Sequence, residues 1–327
     1  MILFVYHNIA QVIKAAFNLS KSAKETYKII GELENKYKGV FDKSAIKKAV
    51  RFQGVQQVFI NDPFANLMGR DTNHFERTSN KYYFLLTGLY DDIIDQKLIS
   101  ETALDQLFDD PINTKATIFE TKILVDIHLN LLKRVKNIDE YKATLSNVHQ
   151  AQKDSLKQFD QNISKEEIVD ITLRKGGYSL LMCRHYIDLP ISNELNEAWY
   201  QLGGIIQITN DLYDIHKDLQ EGICTLPNSI KKVEDIDLMY RNLVTQFFKY
   251  LSNLPFNQHK IKILKIKLSF IPAFGFIAIK NLWKIHHDYK GLPDLKNIPR
   301  KDLIIDMEKP INRFKLIQEA YKIFKTN

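Results

Sequence analysis

Residues 198–218 read AWYQLGGIIQITNDLYDIHKD, an apolar run that ends in carboxylates. Its apolar positions follow the i, i+3, i+4, i+7 spacing of an amphipathic helix whose apolar side faces the core. Asn210, Asp214 and Asp218 fall at i, i+4 and i+8, so they form one stripe on that helix. Burying carboxylates is costly unless a cation neutralises them. The stretch therefore predicts a charged site at the inner end of a core helix.

A second stretch, residues 84–95, reads FLLTGLYDDIID and is likewise an apolar run that ends in carboxylates. Asp91 and Asp95 are four residues apart and share one helix face, whereas Asp92 points about 100° away. Sets of oxygen ligands suit hard divalent cations, with Mg²⁺ the first candidate. Two carboxylates one turn apart can bridge a pair of cations, and the stripe of the first stretch can chelate one more. Together the two stretches predict a site for three Mg²⁺ ions.

The helical spacing of apolar residues recurs along most of the chain. It is clearest in residues 9–37, 78–94, 113–136, 165–186, 194–219, 234–251 and 311–324. Proline-containing breaks separate these segments, and alternating strand-like runs are scarce. The pattern predicts a single all-α domain over residues 1–327, built from about ten to twelve helices.

Two glycine pairs, Gly176-Gly177 and Gly203-Gly204, interrupt helical patterns. Because glycine destabilises a helix interior, each pair predicts either a kink that opens a cavity or a close approach between two helices.

Composition indicates a globular, intracellular protein. The chain has 327 residues, of which 45% are hydrophobic and 26% charged, enough for a substantial core. Cys183 and Cys224 are its two cysteines, which are too few to stabilise a fold of this size by disulfide bonds or to form a zinc site. A reducing cytoplasm is therefore expected.

Membrane insertion is not expected from the sequence. The apolar start, residues 1–6, lacks the charged region and the length of a signal peptide. The apolar stretch 268–279 is too short to span a bilayer. The net charge of +7 is concentrated in residues 256–301. We interpret this region as a solvated helix face or as a surface drawn to anionic headgroups, so membrane contact is at most peripheral. No recognisable module for nucleic acid accompanies the charge, so no nucleic-acid partner is expected.

Residues 83–227 resemble the class I isoprenoid synthases. Residues 84–95 look like the first aspartate-rich motif of that family, and residues 198–214 look like the segment leading into the second motif of its trans-prenyltransferases. The resemblance implies a helical bundle around a central cavity and a prenyl diphosphate substrate. It also implies a metal site of five ligands, which are Asp91, Asp95, Asn210, Asp214 and Asp218.

The expected reaction is ionisation of an allylic diphosphate, which requires cations at the leaving group. Arg174 and Lys175 lie where the family carries its diphosphate-binding pair, and Lys217 is a third candidate. The carbocation that remains must be shielded from water and stabilised by aromatic faces. We expect the cavity wall to include Tyr83, Leu86, Tyr178 and Gln207.

The branch of the family is less clearly marked. Asn210, Lys217 and Asp218 fit a terpene cyclase pattern in which Asp214 replaces Ser or Thr and Asp218 replaces Glu. The Asp214 to Asp218 spacing, followed by Gly222 and Pro227, also resembles squalene and phytoene synthases. The Gly-Lys-Arg run and Arg-Arg pair that hold a second diphosphate in chain-elongating enzymes are missing.

A terpene cyclase acting on one substrate is therefore the favoured interpretation. A two-substrate condensation, either chain-elongating or head-to-head, remains open. So does a non-catalytic subunit with the same fold, and a homodimer is compatible with each of these functions.

Overall fold

The protein is all-helical, as the sequence predicts. The computed structural model describes residues 2–111 and 113–327, and the side chains of Ala45, Asp91 and Asp95 also lie outside the described part. Within those two ranges 79% of the chain is helical and no β-strand is present.

Fifteen α-helical segments follow one another in the described ranges. They are α1 (Ile2–Tyr37), α2 (Lys43–Gln56), α3 (Asp62–Ala65), α4 (His74–Asp95), α5 (Glu101–Asp109), α6 (Phe119–Leu132), α7 (Ile138–Ser155), α8 (Lys165–Arg184), α9 (Asn193–Glu221), α10 (Leu226–Ser229), α11 (Val233–Ser252), α12 (Gln258–Leu268), α13 (Phe270–Asp288), α14 (Arg300–Leu303) and α15 (Pro310–Thr326). Twelve of them have nine residues or more, at the upper end of the expected number. A π-helical turn (Gln57–Asn61) links α2 to α3.

The chain forms two compact units, named here by where most of their residues lie. The N-terminal unit comprises Val5–Ser146 and Met182–Leu189, and the C-terminal unit comprises residues 2–4, Asn147–Leu181 and Pro190–Asn327. In the N-terminal unit α4 packs against α2 and α6. In the C-terminal unit α9, which carries the fully buried Trp199, packs against α11 and α13. One functional domain over the whole chain stays a prediction.

The start of α4 is held by a buried carboxylate. Asn73 and Glu76 form a capping box, in which each side chain accepts a hydrogen bond from the backbone amide of the other. Arg70 donates to both carboxylate oxygens of Glu76, at 2.7 and 2.8 Å, and the amide of Asp188 donates a further bond at 2.7 Å. Burial alone would raise the pKa of Glu76, but these hydrogen bonds outweigh it and lower the pKa.

We expect Glu76→Gln to lower the free energy of unfolding at pH 7 by about 2 to 4 kcal/mol, because it removes the buried carboxylate that pairs with the partly exposed Arg70 guanidinium. A carboxylate with a lowered pKa contributes stability above its unfolded pKa, and that contribution is lost as the pH falls through the folded pKa. Urea unfolding at pH 7 and below pH 4 should therefore show the two proteins converging in acid. Glu32→Gln is the control, since Glu32 is exposed and lies 3.9 Å from Lys28. An equal loss in the control would contradict this role for Glu76.

Helix α1 is unusual for a globular protein. Within the described ranges it is the one helix long and apolar enough to cross a membrane by length and composition, yet only 22% of its most apolar window is buried. The apolar stretch singled out in the sequence, residues 268–279, instead contributes buried side chains such as Ala273 and Phe276 to α13. Peripheral rather than integral membrane contact stays a prediction.

Candidate functional site

The acidic stretch of residues 210–218 lies in the last three turns of α9. Ser192 caps the start of this helix by accepting a bond from the amide of Leu195 at 3.1 Å. Gly222 ends it in the left-handed conformation, with φ of 70°, which favours glycine. The amide of Ile223 then donates to the carbonyl of Asp218 at 2.9 Å. Asp218 therefore lies near the negative end of the helix dipole, where an ionised carboxylate is disfavoured.

Close packing of α8 against α9 brings a lysine to this stretch. A Cβ atom added to Gly176 would collide with the carbonyl oxygen of Gly203, and one added to Gly203 would collide with that of Gly176. The glycine pairs therefore mark a close approach between two helices, the second of the two outcomes predicted for them. The approach places Lys175 near enough for its charge to act on Asp211.

Two carboxylates of α9 are buried. Asp211 and Asp218 are each 7% exposed, and Gln207 donates to Asp211 Oδ1 from Nε2 at 2.8 Å. Asp214 lies between them in the chain and is exposed. These three residues are spaced by three and four positions, so they share one side of the helix. We call Asp211, Asp214 and Asp218 the acidic stripe.

The buried carboxylates resist ionisation. Burial raises the pKa of Asp211 to about 7, and the charges of Asp218 and Asp214 act in the same direction. The bond from Gln207 and the charge of Lys175 only partly oppose this increase. Burial also raises the pKa of Asp218 to about 6, with repulsion from Asp214 as the next cause. Burial and the neighbouring carboxylates thus disfavour the charged forms of Asp211 and Asp218.

The sequence selected Asn210 together with Asp214 and Asp218, whereas the structure buries Asp211 instead. Asn210 is exposed, one position away from the buried side of α9. Asp211 was missed because the i, i+4, i+8 rule favours Asn210. The signal that finds it is its place on the apolar side, four residues after Gln207 and three after Ile208. Metal binding by Asn210, Asp214 and Asp218 stays a prediction.

The three predicted diphosphate ligands differ in their contacts. Arg174 is engaged by two carboxylates, with Asp154 at 3.0 Å and Asp170 at 2.7 Å. Lys175 donates to the Ser155 hydroxyl at 3.4 Å, a long and weak hydrogen bond. Lys217 is exposed and lies 3.8 Å from Glu221. Of these three residues, Lys175 thus has the weakest contact with an oxygen of the described side chains, apart from the exposed Lys217.

The predicted cavity residues fall in both units. In the N-terminal unit Tyr83 and Leu86 are buried on α4, and the Tyr83 ring centroid lies 5.7 Å from that of Tyr186. In the C-terminal unit Tyr178 is half-buried and packs edge-on against Tyr200 at 5.1 Å. Gln207 is half-buried and bonded to Asp211. Their role as a cavity wall stays a prediction.

The first acidic stretch forms the end of α4. The side chains of Asp91 and Asp95, its two predicted metal ligands, lie outside the described part of the structure. Its middle carboxylate, Asp92, lines a cavity of about 270 Å³ within the N-terminal unit, together with Asp42 and Glu120. This stretch therefore offers carboxylate at the surface of a cavity.

The donor atoms of the acidic stripe are of the type that binds divalent cations. All three side chains offer carboxylate oxygens, which Mg²⁺ prefers. Asp211 and Asp218 are separated by about 10 Å along the helix axis, so neighbouring pairs rather than all three would share an ion. Accordingly, among the side chains that the structure describes, no group of three or more His, Cys, Asp or Glu residues is placed to hold one metal ion.

The chain matches no protein-family model, no curated protein and no solved structure.

Proposed function

We propose that this chain is a Mg²⁺-dependent class I isoprenoid synthase that ionises a linear allylic prenyl diphosphate and cyclises the resulting carbocation. The observation that carries the proposal is the acidic stripe, whose two buried carboxylates have raised pKa values. Perturbed carboxylates of this kind mark functional sites more often than ordinary surface positions do. The all-helical architecture is compatible with the isoprenoid synthase fold that we propose for the whole chain.

A divalent cation would stabilise the ionised carboxylates of the acidic stripe. Burial, and next to it repulsion from neighbouring carboxylates, disfavours the ionised forms of Asp211 and Asp218 in the free protein, and a cation would offset both effects. We assign Asp211 to the ligand set beside Asp214 and Asp218, while Asp91 and Asp95 stay the ligands predicted from the sequence for the first acidic stretch. Bound Mg²⁺ would supply charge neutralisation for the departing diphosphate.

Residues of α8 would bind the diphosphate itself. Lys175 lies close enough to the acidic stripe to act on the pKa of Asp211, and its hydrogen bond within the described part of the chain is a weak one to the Ser155 hydroxyl. Its ammonium is therefore placed to hold a polyanion. Arg174 is bound by Asp154 and Asp170, so we assign it to positioning the turn that carries Lys175. Lys217 is exposed and would meet the diphosphate only from the solvent side.

A two-substrate condensation is the second candidate, and one observation favours it. The cyclase pattern depends on Asn210, yet Asn210 is exposed while Asp211 takes the buried position. The missing sequence motifs for a second diphosphate still favour the cyclase. In both cases the first step is release of diphosphate, and the cytoplasm is the proposed location.

Incubation with single prenyl diphosphates of ten, fifteen, twenty and twenty-five carbons tests the function. We expect one of them to give free diphosphate and a cyclic hydrocarbon when Mg²⁺ is present, and neither when EDTA removes it. The measurements are a colorimetric assay for diphosphate and gas chromatography with mass spectrometry.

Each other outcome has a defined meaning. Product that forms only with added isopentenyl diphosphate, or only as a head-to-head dimer, would replace the cyclase by a condensing enzyme. No turnover of any substrate, alone or in pairs, would refute the catalytic proposal and favour a non-catalytic subunit.

A further inference from the structure

In the first half of α1, polar side chains lie on the buried side of the helix and most of the large apolar side chains lie on the exposed side. Asn8 and Gln11 are buried, and Gln11 donates from Nε2 to the carbonyl of Val58 at 3.3 Å. Phe4 is also buried, but most of the large apolar side chains face solvent; they are Ile2, Val5, Tyr6, Ile9, Val12, Ile13 and Phe17. A surface helix normally turns its apolar face to the core. A contiguous exposed apolar face of this kind indicates an interaction surface.

The exposed side chains form one stripe. They recur at steps of three and four residues, so they lie along a single side of the helix for about 22 Å. Exposure is high from end to end, at 86% for Ile2, 66% for Tyr6 and 77% for Phe17. We call these seven residues the α1 apolar stripe. It is continuous enough to cover a flat apolar surface.

The charges that accompany the stripe are positive. Residues 2–24 contain no Asp or Glu, and their lysines are Lys14, Lys21 and Lys24. Lys21 and Lys24 are exposed in the two turns that follow Phe17. The whole chain carries a net charge of +7. An anionic partner therefore complements α1, whereas a second copy of the chain would bring basic helix against basic helix.

The other face of α1 is tied to the protein. Lys14 Nζ lies 2.8 Å from Asp62 Oδ2 and 2.6 Å from Asp71 Oδ1, within the span of the α1 apolar stripe. Insertion across a bilayer would break these ion pairs and carry Lys14 and Gln11 into hydrocarbon, which is costly. A helix that is apolar on one side only is suited to lie in the membrane interface.

We propose that the α1 apolar stripe docks on an anionic lipid bilayer, with α1 parallel to the membrane plane. The apolar side chains enter the boundary between headgroups and acyl chains, and Lys21 and Lys24 meet headgroup phosphates. The inference does not depend on the proposed catalytic function, because no residue of the acidic stripe takes part.

Flotation of the full chain with lipid vesicles tests the proposal. We expect the protein to float with vesicles that mix phosphatidylcholine and phosphatidylserine, and much less with phosphatidylcholine alone. The double change Ile9→Ser and Ile13→Ser should weaken binding by more than about tenfold. Lys21→Gln with Lys24→Gln should weaken it by about tenfold at low salt. Leu238→Ser is the matched control, since Leu238 is a helical residue that is 63% exposed.

Thermal unfolding checks that the variants fold, because every changed side chain is exposed. Equal flotation of the wild type and the Ile9/Ile13 variant would overturn the proposal. So would equal binding of the wild type to neutral vesicles and to vesicles that contain phosphatidylserine. A dimer in sedimentation that the Ile9/Ile13 change dissolves, without vesicle binding, would assign the stripe to a second copy. Retention in cell membranes after carbonate extraction would indicate a spanning helix and overturn the parallel orientation.

Discussion

Asp211→Asn is expected to stabilise the metal-free protein at pH 8 while abolishing Mg²⁺-dependent release of diphosphate. The pKa of Asp211 is raised to about 7 by burial, so at pH 8 the folded protein holds an ionised carboxylate that the unfolded chain accommodates more easily. The neutral amide removes this cost and still accepts the hydrogen bond from Gln207. We expect the free energy of unfolding to rise by about 2 to 4 kcal/mol.

The pH dependence follows from the same shift. A carboxylate whose folded pKa is raised contributes its full stability below the unfolded pKa, and this contribution is lost as the pH rises through the folded pKa. For Asp211 the loss falls between about pH 4 and pH 7 in the metal-free wild type. The Asp211→Asn variant should lack this decrease in the free energy of unfolding. Urea unfolding across that range, in EDTA, measures it.

Activity should move in the opposite direction from stability. Removal of a proposed metal ligand is expected to lower the rate of diphosphate release by at least about a hundredfold. Mg²⁺ should raise the melting temperature of the wild type and leave that of the variant unchanged. Asp235→Asn is the control, because Asp235 is exposed and pairs with Lys165 at 2.8 Å. A stabilised variant with full activity would remove Asp211 from the site, whereas a destabilised one would show that its carboxylate is needed for folding.

Gly203→Ala is expected to be among the most damaging small substitutions in the chain. The added Cβ would collide with the carbonyl of Gly176 and approach the Cα of Gly177 to 2.8 Å. These are backbone atoms, so the clash is relieved only if α8 and α9 separate. We expect a loss of about 3 kcal/mol or more in the free energy of unfolding, measured with urea. Separation would also move Lys175 away from Asp211 and reduce turnover.

Gly31→Ala provides the matched control. A Cβ at Gly31 would meet nothing within 4 Å, and the residue lies within α1. Alanine there should stabilise the protein by roughly 0.5 to 1 kcal/mol, because glycine loses more backbone entropy in a helix. If both substitutions changed stability by similar amounts and in the same direction, helix propensity rather than close packing would explain the glycines.

Many of the long helices could be predicted from the sequence, although the predicted segment 113–136 was too long, because the helix there is Phe119–Leu132. Apolar spacing and proline breaks place α9, for example, at residues 194–219, and the structure has Asn193–Glu221. The caps at Ser192 and Gly222 explain this agreement, because they are local signals written in the sequence. The glycine pairs similarly indicated a close approach or a kink, but the choice between them depended on the partner helix.

The choice between Asn210 and Asp211 could not be made in this way. Spacing along a helix gives the angle between two side chains, here about 100°, but not the direction of the core. That direction for α9 depends on α11 and α13, which pack against it. The same limit applies to α1, where the spacing of apolar residues in 9–37 indicates a helix but the packed structure turns Asn8 and Gln11 inward.

By itself the sequence determined the all-helical class, many of the long helices and the clustering of carboxylates, since each depends on residues within a few positions of one another. Only the tertiary structure decided which carboxylates are buried and which apolar face is exposed. Burial is a property of distant segments brought together, and it is burial that raises the pKa of Asp211 and leaves the α1 apolar stripe in solvent.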